Sequence, residues 1–175
     1  MSLNREDRGL RLTLVRHGRA ESQAAGQADF DRALDRRGLA EVAGMAQRCL
    51  ELGVVPQELR ASTARRTRQT AAAFARAFEL PEDRVRLERG LYLAAAATLL
   101  EAVRATAADV RHLMLVGHNP GLAELAQQLA PRTRLESFAT AAICTMRFDT
   151  ADWRALRPGA VEDVLYESPE QLSGP

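Results

Sequence analysis

The chain has 175 residues, the size of one domain with one core, and its 46% of hydrophobic residues is ample for that interior. A formal net charge of +1 provides no overall field to draw nucleic acid or a membrane surface. All 24 basic residues are Arg. Genome base composition would produce that alone, but it means that any anion site here must use Arg.

Cys49 and Cys144 are too few and too far apart for a disulfide scaffold or a Cys-x-x-Cys metal pair; they read as buried thiols in a reducing compartment. Met1 to Gly9 is polar and lacks the apolar core of a signal peptide. No run approaches the roughly 18 apolar residues of a membrane span. The expectation is one domain over residues 10–167, flexible tails at 1–9 and 168–175, and a cytoplasmic protein with no nucleic-acid or membrane partner.

In chain order, Leu12 to Val15 is an apolar strand, central because it is apolar on both faces, and it stops at Arg16-His17-Gly18. Arg19 to Asp31 reads as a loop. Asp35 caps a helix with Leu39, Val42, Met45, Ala46, Cys49 and Leu52 inward, closed by Gly53. Glu58 to Ser62 is a strand, and Ser62 or Thr63 caps a helix from about Ala64 to Phe78, before Pro81. Val85 to Leu87 is a weak strand, Ala94 to Ala107 a helix, and Leu113 to Val116 the second strong strand. Asn119-Pro120 starts a helix running to about Leu129. Ala139 to Phe148 and Val161 to Tyr166 read as strands, and the segment from Ser168 as disordered. Alternating strands and helices predict a three-layer α/β/α sandwich with a largely parallel sheet. The Ala-rich helices fit packing on a partner or on the core alike.

Ligands of such sheets bind beyond the carboxyl ends of the strands. Both strong strands end there in a His beside a Gly: His17 with Gly18, and His118 with Gly117. One such His is commonly structural; two at one rim point to a site. His112 precedes its strand, so it is expected at the opposite rim, exposed and idle. The third locus is Thr63-Ala-Arg-Arg-Thr-Arg-Gln-Thr70. With Phe74, Ala77 and Phe78 marking the buried face, Arg66 falls at its edge in line with Thr70, while Arg65 and Arg68 fall on the solvated side. An Arg at that edge must find an anionic partner or stay wet.

Two Arg and two His at one rim suit a phosphoryl group. Guanidinium forks bind its oxygens bidentately, a neutral imidazole nitrogen can attack phosphorus, and the flanking Arg charges oppose protonation of the ring. A metal reading is weaker, since no His is spaced with carboxylates or thiols as ligands usually are.

Leu14-Val-Arg-His-Gly18 resembles the signature of the histidine phosphatase superfamily, with its phosphoglycerate-mutase-like fold. Ser62-x-x-x-Arg66-x-x-Gln69-Thr70 resembles its second motif, Val116-Gly-His118-Asn its third, and Leu34-Asp35-x-x-Gly38 its Leu-Thr-x-x-Gly helix start. The match runs from about Leu12 to Phe148, and the small size resembles the SixA-like branch, whose type activity removes phosphate from phosphohistidine. The resemblance implies that His17 attacks phosphorus, that Arg16 and Arg66 hold the phosphoryl oxygens and that His118 hydrogen-bonds the transferring group, with no cofactor.

One departure matters. Where mutases and acid phosphatases of the superfamily carry a leaving-group acid, Leu93 stands here. Glu88 is nearby, and it reads either as a surface residue or as that acid. A missing acid costs least when the leaving group is already good, as in the P–N bond of phosphohistidine. The expected substrate is therefore a phosphohistidine-carrying signalling protein. A small phosphoester is the alternative, with Glu88 or a loop carboxylate (Glu21, Asp29 or Asp31) as acid, and a non-catalytic phospho-ligand module is a third reading.

Overall fold

The computed structural model describes residues 9–133 and 138–172. Strand β1 (Leu10–Arg16) is followed by a loop with a 3-10 turn at Asp29–Asp31 and helix α1 (Arg36–Glu51). Strand β2 (Glu58–Ser62), helix α2 (Arg65–Ala77) and strand β3 (Val85–Glu88) come next. A 3-10 turn at Arg89–Leu91 leads into α3 (Ala96–Arg104), β4 (His112–Gly117) and α4 (Gly121–Leu129). Strands β5 (Ile143–Phe148) and β6 (Val161–Glu167) and the short α5 (Pro169–Leu172) complete the chain.

The six strands form one sheet in the order β3-β2-β4-β1-β5-β6. The first four are parallel; β5 and β6 add antiparallel at one edge. Side chains alternate between faces, so Leu10, Leu12 and Leu14 pack against α3 and α4, while Val15, Met114 and Val116 pack against α1 and α2. This is the three-layer α/β/α sandwich, and β1 is central in it. Among the described residues no helix is long and apolar enough to cross a membrane.

Several local details depart from the sequence reading. Leu39 is 48% exposed. The inward stripe of α1 instead runs through Gly38, Val42, Met45 and Cys49, at spacings of four and three. Asp35 caps α1 as expected, accepting from Gly38 N at 2.7 Å, and Gly53 closes it at φ +67°, a conformation that favours glycine. Neither Ser62 nor Thr63 caps α2: Ala64 holds that position, and Thr67 Oγ1 turns back to the carbonyls of Ser62 and Ala64. The helix expected from Ala64 to Phe78 is found within one residue at each end, the one expected from Ala94 to Ala107 is shortened to Ala96–Arg104, and the strand expected from Ala139 starts at Ile143.

The segment from Ser168 is helical over Pro169–Leu172, with Ser168 and Pro169 buried; an ion pair of Arg48 with Glu167 at 3.3 Å ties the preceding strand end to α1. Residues 1–8 and 173–175 of the expected tails lie outside the described residues. His112 does lie at the opposite rim, but it is only 6% exposed, with Nε2 2.8 Å from Thr13 Oγ1. β4 is flanked on both sides, so even its first residue is covered.

Candidate active site

The ladder between β1 and β4 sets the site. Val15 pairs with Val116 and Arg16 with Gly117, so His17 and His118 leave adjacent strands at the same step. Neighbouring strands lie about 4.8 Å apart, and the two imidazoles follow with ring centroids 5.2 Å apart. His17 N donates to Gly117 O at 3.1 Å, which extends the ladder into the site. Gly18 then passes under α1, where a Cβ would lie 2.6 Å from Val42 Cγ2 and 3.0 Å from Gly38 O. Its role is this close approach. Its amide donates to Thr70 Oγ1 at 3.1 Å, which ties the turn to α2.

His17 Nδ1 lies 2.7 Å from Gly18 O. A carbonyl only accepts, so Nδ1 carries the proton and Nε2 presents its lone pair. Arg66 Nε donates to that Nε2 at 3.2 Å. Burial, opposed by the Gly18 hydrogen bond and aided by the charges of Arg66 and Arg16, lowers the His17 pKa to about 4. The ring is neutral at neutral pH.

His118 is 3% exposed. Its Nδ1 accepts from Arg66 Nη2 at 3.3 Å, so its Nε2 carries the proton and donates to Ser62 Oγ at 2.8 Å. Burial, then His17 and Arg66, push its pKa down to about 3. Asn119, expected to cap α4, instead donates through its amide to Phe138 O at 3.0 Å, and Pro120 holds the N-cap position. Leu122 N bonds back to His118 O, so the histidine still stands at the helix start.

Arg66 is 3% exposed, inside the site as its place on the helix face implies, while Arg65 and Arg68 are exposed. Arg16 is half-buried, with Nη1 donating to Phe138 O at 2.8 Å. Its Nε is buried and has no hydrogen-bond partner among the described residues, a donor left over for an acceptor oxygen. The geometry thus gathers His17, Arg16, Arg66 and His118. It does not bring Glu88 to them: Glu88 Oε1 faces Arg60 Nε at 3.7 Å, and Arg60 also holds the buried Glu58 at 2.6 Å. In parallel pairing Glu88 stands opposite Ser62, and its 36% exposed side chain is drawn to that charge network. Leu93, more than half exposed at φ +48°, supplies no acid either.

The carboxylate at the site is Asp29. Its Oδ2 lies 2.8 Å from Arg66 Nη2 and accepts from Tyr92 OH at 2.8 Å, and Oδ1 accepts from Arg32 at 2.9 Å. Burial alone would raise its pKa, but the hydrogen bonds from Tyr92, Arg32 and Arg66 outweigh it and hold the carboxyl well below the usual range. Tyr92 also stacks edge-on to His118 with centroids 5.3 Å apart. The sequence offered Asp29 only as one of three loop carboxylates, and the Asp29–Arg32 spacing was its one local signal. Tyr92 carried none. Among the described residues no three His, Cys, Asp or Glu side chains gather as metal ligands.

The sequence model of the histidine phosphatase superfamily (branch 1) matches residues 12–91. A crystal structure of the SixA protein of Agrobacterium tumefaciens, assigned as a phosphohistidine phosphatase, is 30% identical. It superposes with a TM-score of 0.74 over 89% of this chain and 97% of its own. The chain belongs to the histidine phosphatase superfamily. Within it the chain is a phosphatase of the SixA-like branch. An uncharacterized protein of Mycobacterium tuberculosis is 31% identical over 89% of this chain and 99% of its own. An uncharacterized chloroplastic protein of Arabidopsis thaliana is 32% identical over 69% of this chain, which spans 59% of that relative's length.

Proposed function

We propose that this phosphatase hydrolyses protein phosphohistidine through a covalent phosphohistidine on His17. The observation that carries the reading is the hydrogen bond from His17 Nδ1 to Gly18 O, which fixes the tautomer and aims a neutral Nε2 lone pair into the space shared with Arg66 and His118. Nε2 attacks phosphorus as the P–N bond of the substrate breaks, and that electron pair leaves with the substrate imidazole, which exits neutral when its other nitrogen is protonated. Arg66 and the free Nε of Arg16 take up charge on the phosphoryl oxygens, and His118 hydrogen-bonds the same group by turning its Nε2–H from Ser62 Oγ to a phosphoryl oxygen. Water then attacks the His17 phosphoramidate, releasing inorganic phosphate and restoring the ring. Such a leaving group requires no acid from the enzyme, which suits a site whose nearest carboxylate, Asp29, is held ionised.

The test is a rapid quench with labelled phosphohistidine peptide. The expected result is an acid-labile phosphoenzyme in the wild type and none in His17→Ala; turnover by His17→Ala at the wild-type rate would reject the mechanism. A second reading, a small-molecule phosphomonoesterase, rests on the position of Asp29 at Arg66, where a protonated carboxyl could serve an alkoxide. A panel of phosphoesters beside phosphoramidate separates the two.

A further inference from the structure

We infer that the cleft beside the histidines is a recognition subsite for an acidic, partly apolar peptide segment that flanks the phosphorylated residue of a protein substrate. The inference rests on the phosphatase reading and names what that substrate presents. The cleft has a volume of about 510 Å³ and is lined by Phe30, Thr63, Arg65, Arg68, Val85 and Leu87, with Asp31 also on its wall.

Its distance from the chemistry selects a peptide. Phe30 meets Tyr92 edge-on at 5.1 Å, and Tyr92 meets His118 at 5.3 Å. Two rings therefore separate cleft from imidazole, a span of no more than about 10 Å, or roughly three residues of extended chain at ~3.4 Å each. The residues next to a phosphohistidine held at His17 cover that span.

Its chemistry selects the sequence. Leu87 is 47% exposed on the edge strand β3, and with Val85 and Phe30 it supplies an apolar wall. Arg65 and Arg68 are exposed, three residues apart, and have no ion pair among the described residues. Like charges at that spacing in the first turn of a helix are locally unfavourable, because they repel each other and oppose the helix dipole. An acidic partner removes both penalties. Thr63 adds an Oγ1 that is buried without a hydrogen-bond partner among the described residues.

The experiment compares two synthetic phosphohistidine peptides that carry Leu and Glu, or Leu and Lys, two and three residues from the phosphohistidine. Phosphoramidate serves as the non-peptide substrate. The wild type is expected to favour the Glu peptide by about tenfold in kcat/KM, a contact worth roughly half of that ratio in free energy at each Arg. Arg65→Glu/Arg68→Glu reverses the preference and leaves phosphoramidate hydrolysis within twofold. Leu87→Ser slows both peptides and spares phosphoramidate. Equal rates on the two peptides, or a preference that survives the double substitution, would overturn the subsite while phosphoramidate turnover keeps the phosphatase reading. Loss of all hydrolysis, phosphoramidate included, would overturn that reading and the subsite with it.

Discussion

The Asp29 carboxylate occupies the guanidinium fork of Arg66: Oδ2 takes Nη2 at 2.8 Å, and the carbonyl of the same residue takes Nη1 at 2.6 Å. The cation assigned to the phosphoryl oxygens thus already holds an internal anion, and an incoming phosphoryl group must take those donors from Asp29. Asp29→Asn is expected to lower the KM for phosphoramidate and the inhibition constant of inorganic phosphate several-fold, with kcat within about threefold. Steady-state kinetics on phosphoramidate and on a simple phosphoester check it together. A fall of about 10²–10⁴ on the phosphoester alone would make Asp29 the leaving-group acid and favour the second reading.

Arg66 contacts His17 Nε2, His118 Nδ1 and Asp29 at once. Arg66→Ala is expected to lower kcat by about 10²–10³, the loss typical of one preorganised donor to a developing oxyanion. Arg66→Lys is expected to recover little, since an ammonium cannot reproduce the fork. Recovery to within a few-fold of wild type would mean that charge alone, not fork geometry, is what Arg66 supplies.

Acid should reach catalysis late and stability early. His17 must be neutral to attack, and its pKa is lowered to about 4, so the acid limb of kcat/KM is expected near pH 4 rather than near 6.5. A limb centred above pH 6 would contradict the neutral, buried ring. His17, His112 and His118 all have pKa values lowered in the fold, to about 4, 4 and 3. The unfolded chain therefore binds more protons between those values and about 6.5, and stability falls as pH drops through that window. Each histidine contributes up to about 1.4 kcal/mol per pH unit. Denaturant melts at pH 7 and pH 5 should show the loss, and His112→Gln should reduce it without touching the reacting groups.

Gly18→Ala places a methyl 2.6 Å from Val42 Cγ2 and 3.0 Å from the Gly38 carbonyl. It is expected to cost about 1–3 kcal/mol, the usual range for overpacking, and to lower Tm by several degrees. An unchanged Tm would show that α1 can shift away from the turn.

The two strong strands were legible because Leu12 to Val15 and Leu113 to Val116 are apolar on both faces, which only a central strand requires. Arg66 was legible because helical spacing sorts three arginines into one inward and two outward. Asp29 was not, since a loop has no period and its three carboxylates are equal until the turn at Asp29–Asp31 swings one toward Arg66. Glu88 drew attention through its position next to Leu93, but the charges of Arg60 and Glu58 that claim its surroundings come from a neighbouring strand. His112 was misread for the same reason: strand order, not sequence, decides what covers a strand's first residue. Asn119 had the composition of a helix cap, and its amide went to Phe138, a partner 19 residues away.

The pairing of Arg16 with Gly117 has a consequence for how this enzyme fails. The two histidines stand at the same step just past the end of one parallel ladder, and sliding it by a single residue would turn every side chain of β1 to the opposite face. Between correct and lost there is no slightly misaligned catalyst for a weakened core to settle into. Core substitutions at Leu14 or Leu115 should therefore reduce the fraction of active molecules while those that remain turn over at the full rate. Activity followed through a denaturant titration would then trace the cooperative unfolding of the sheet itself.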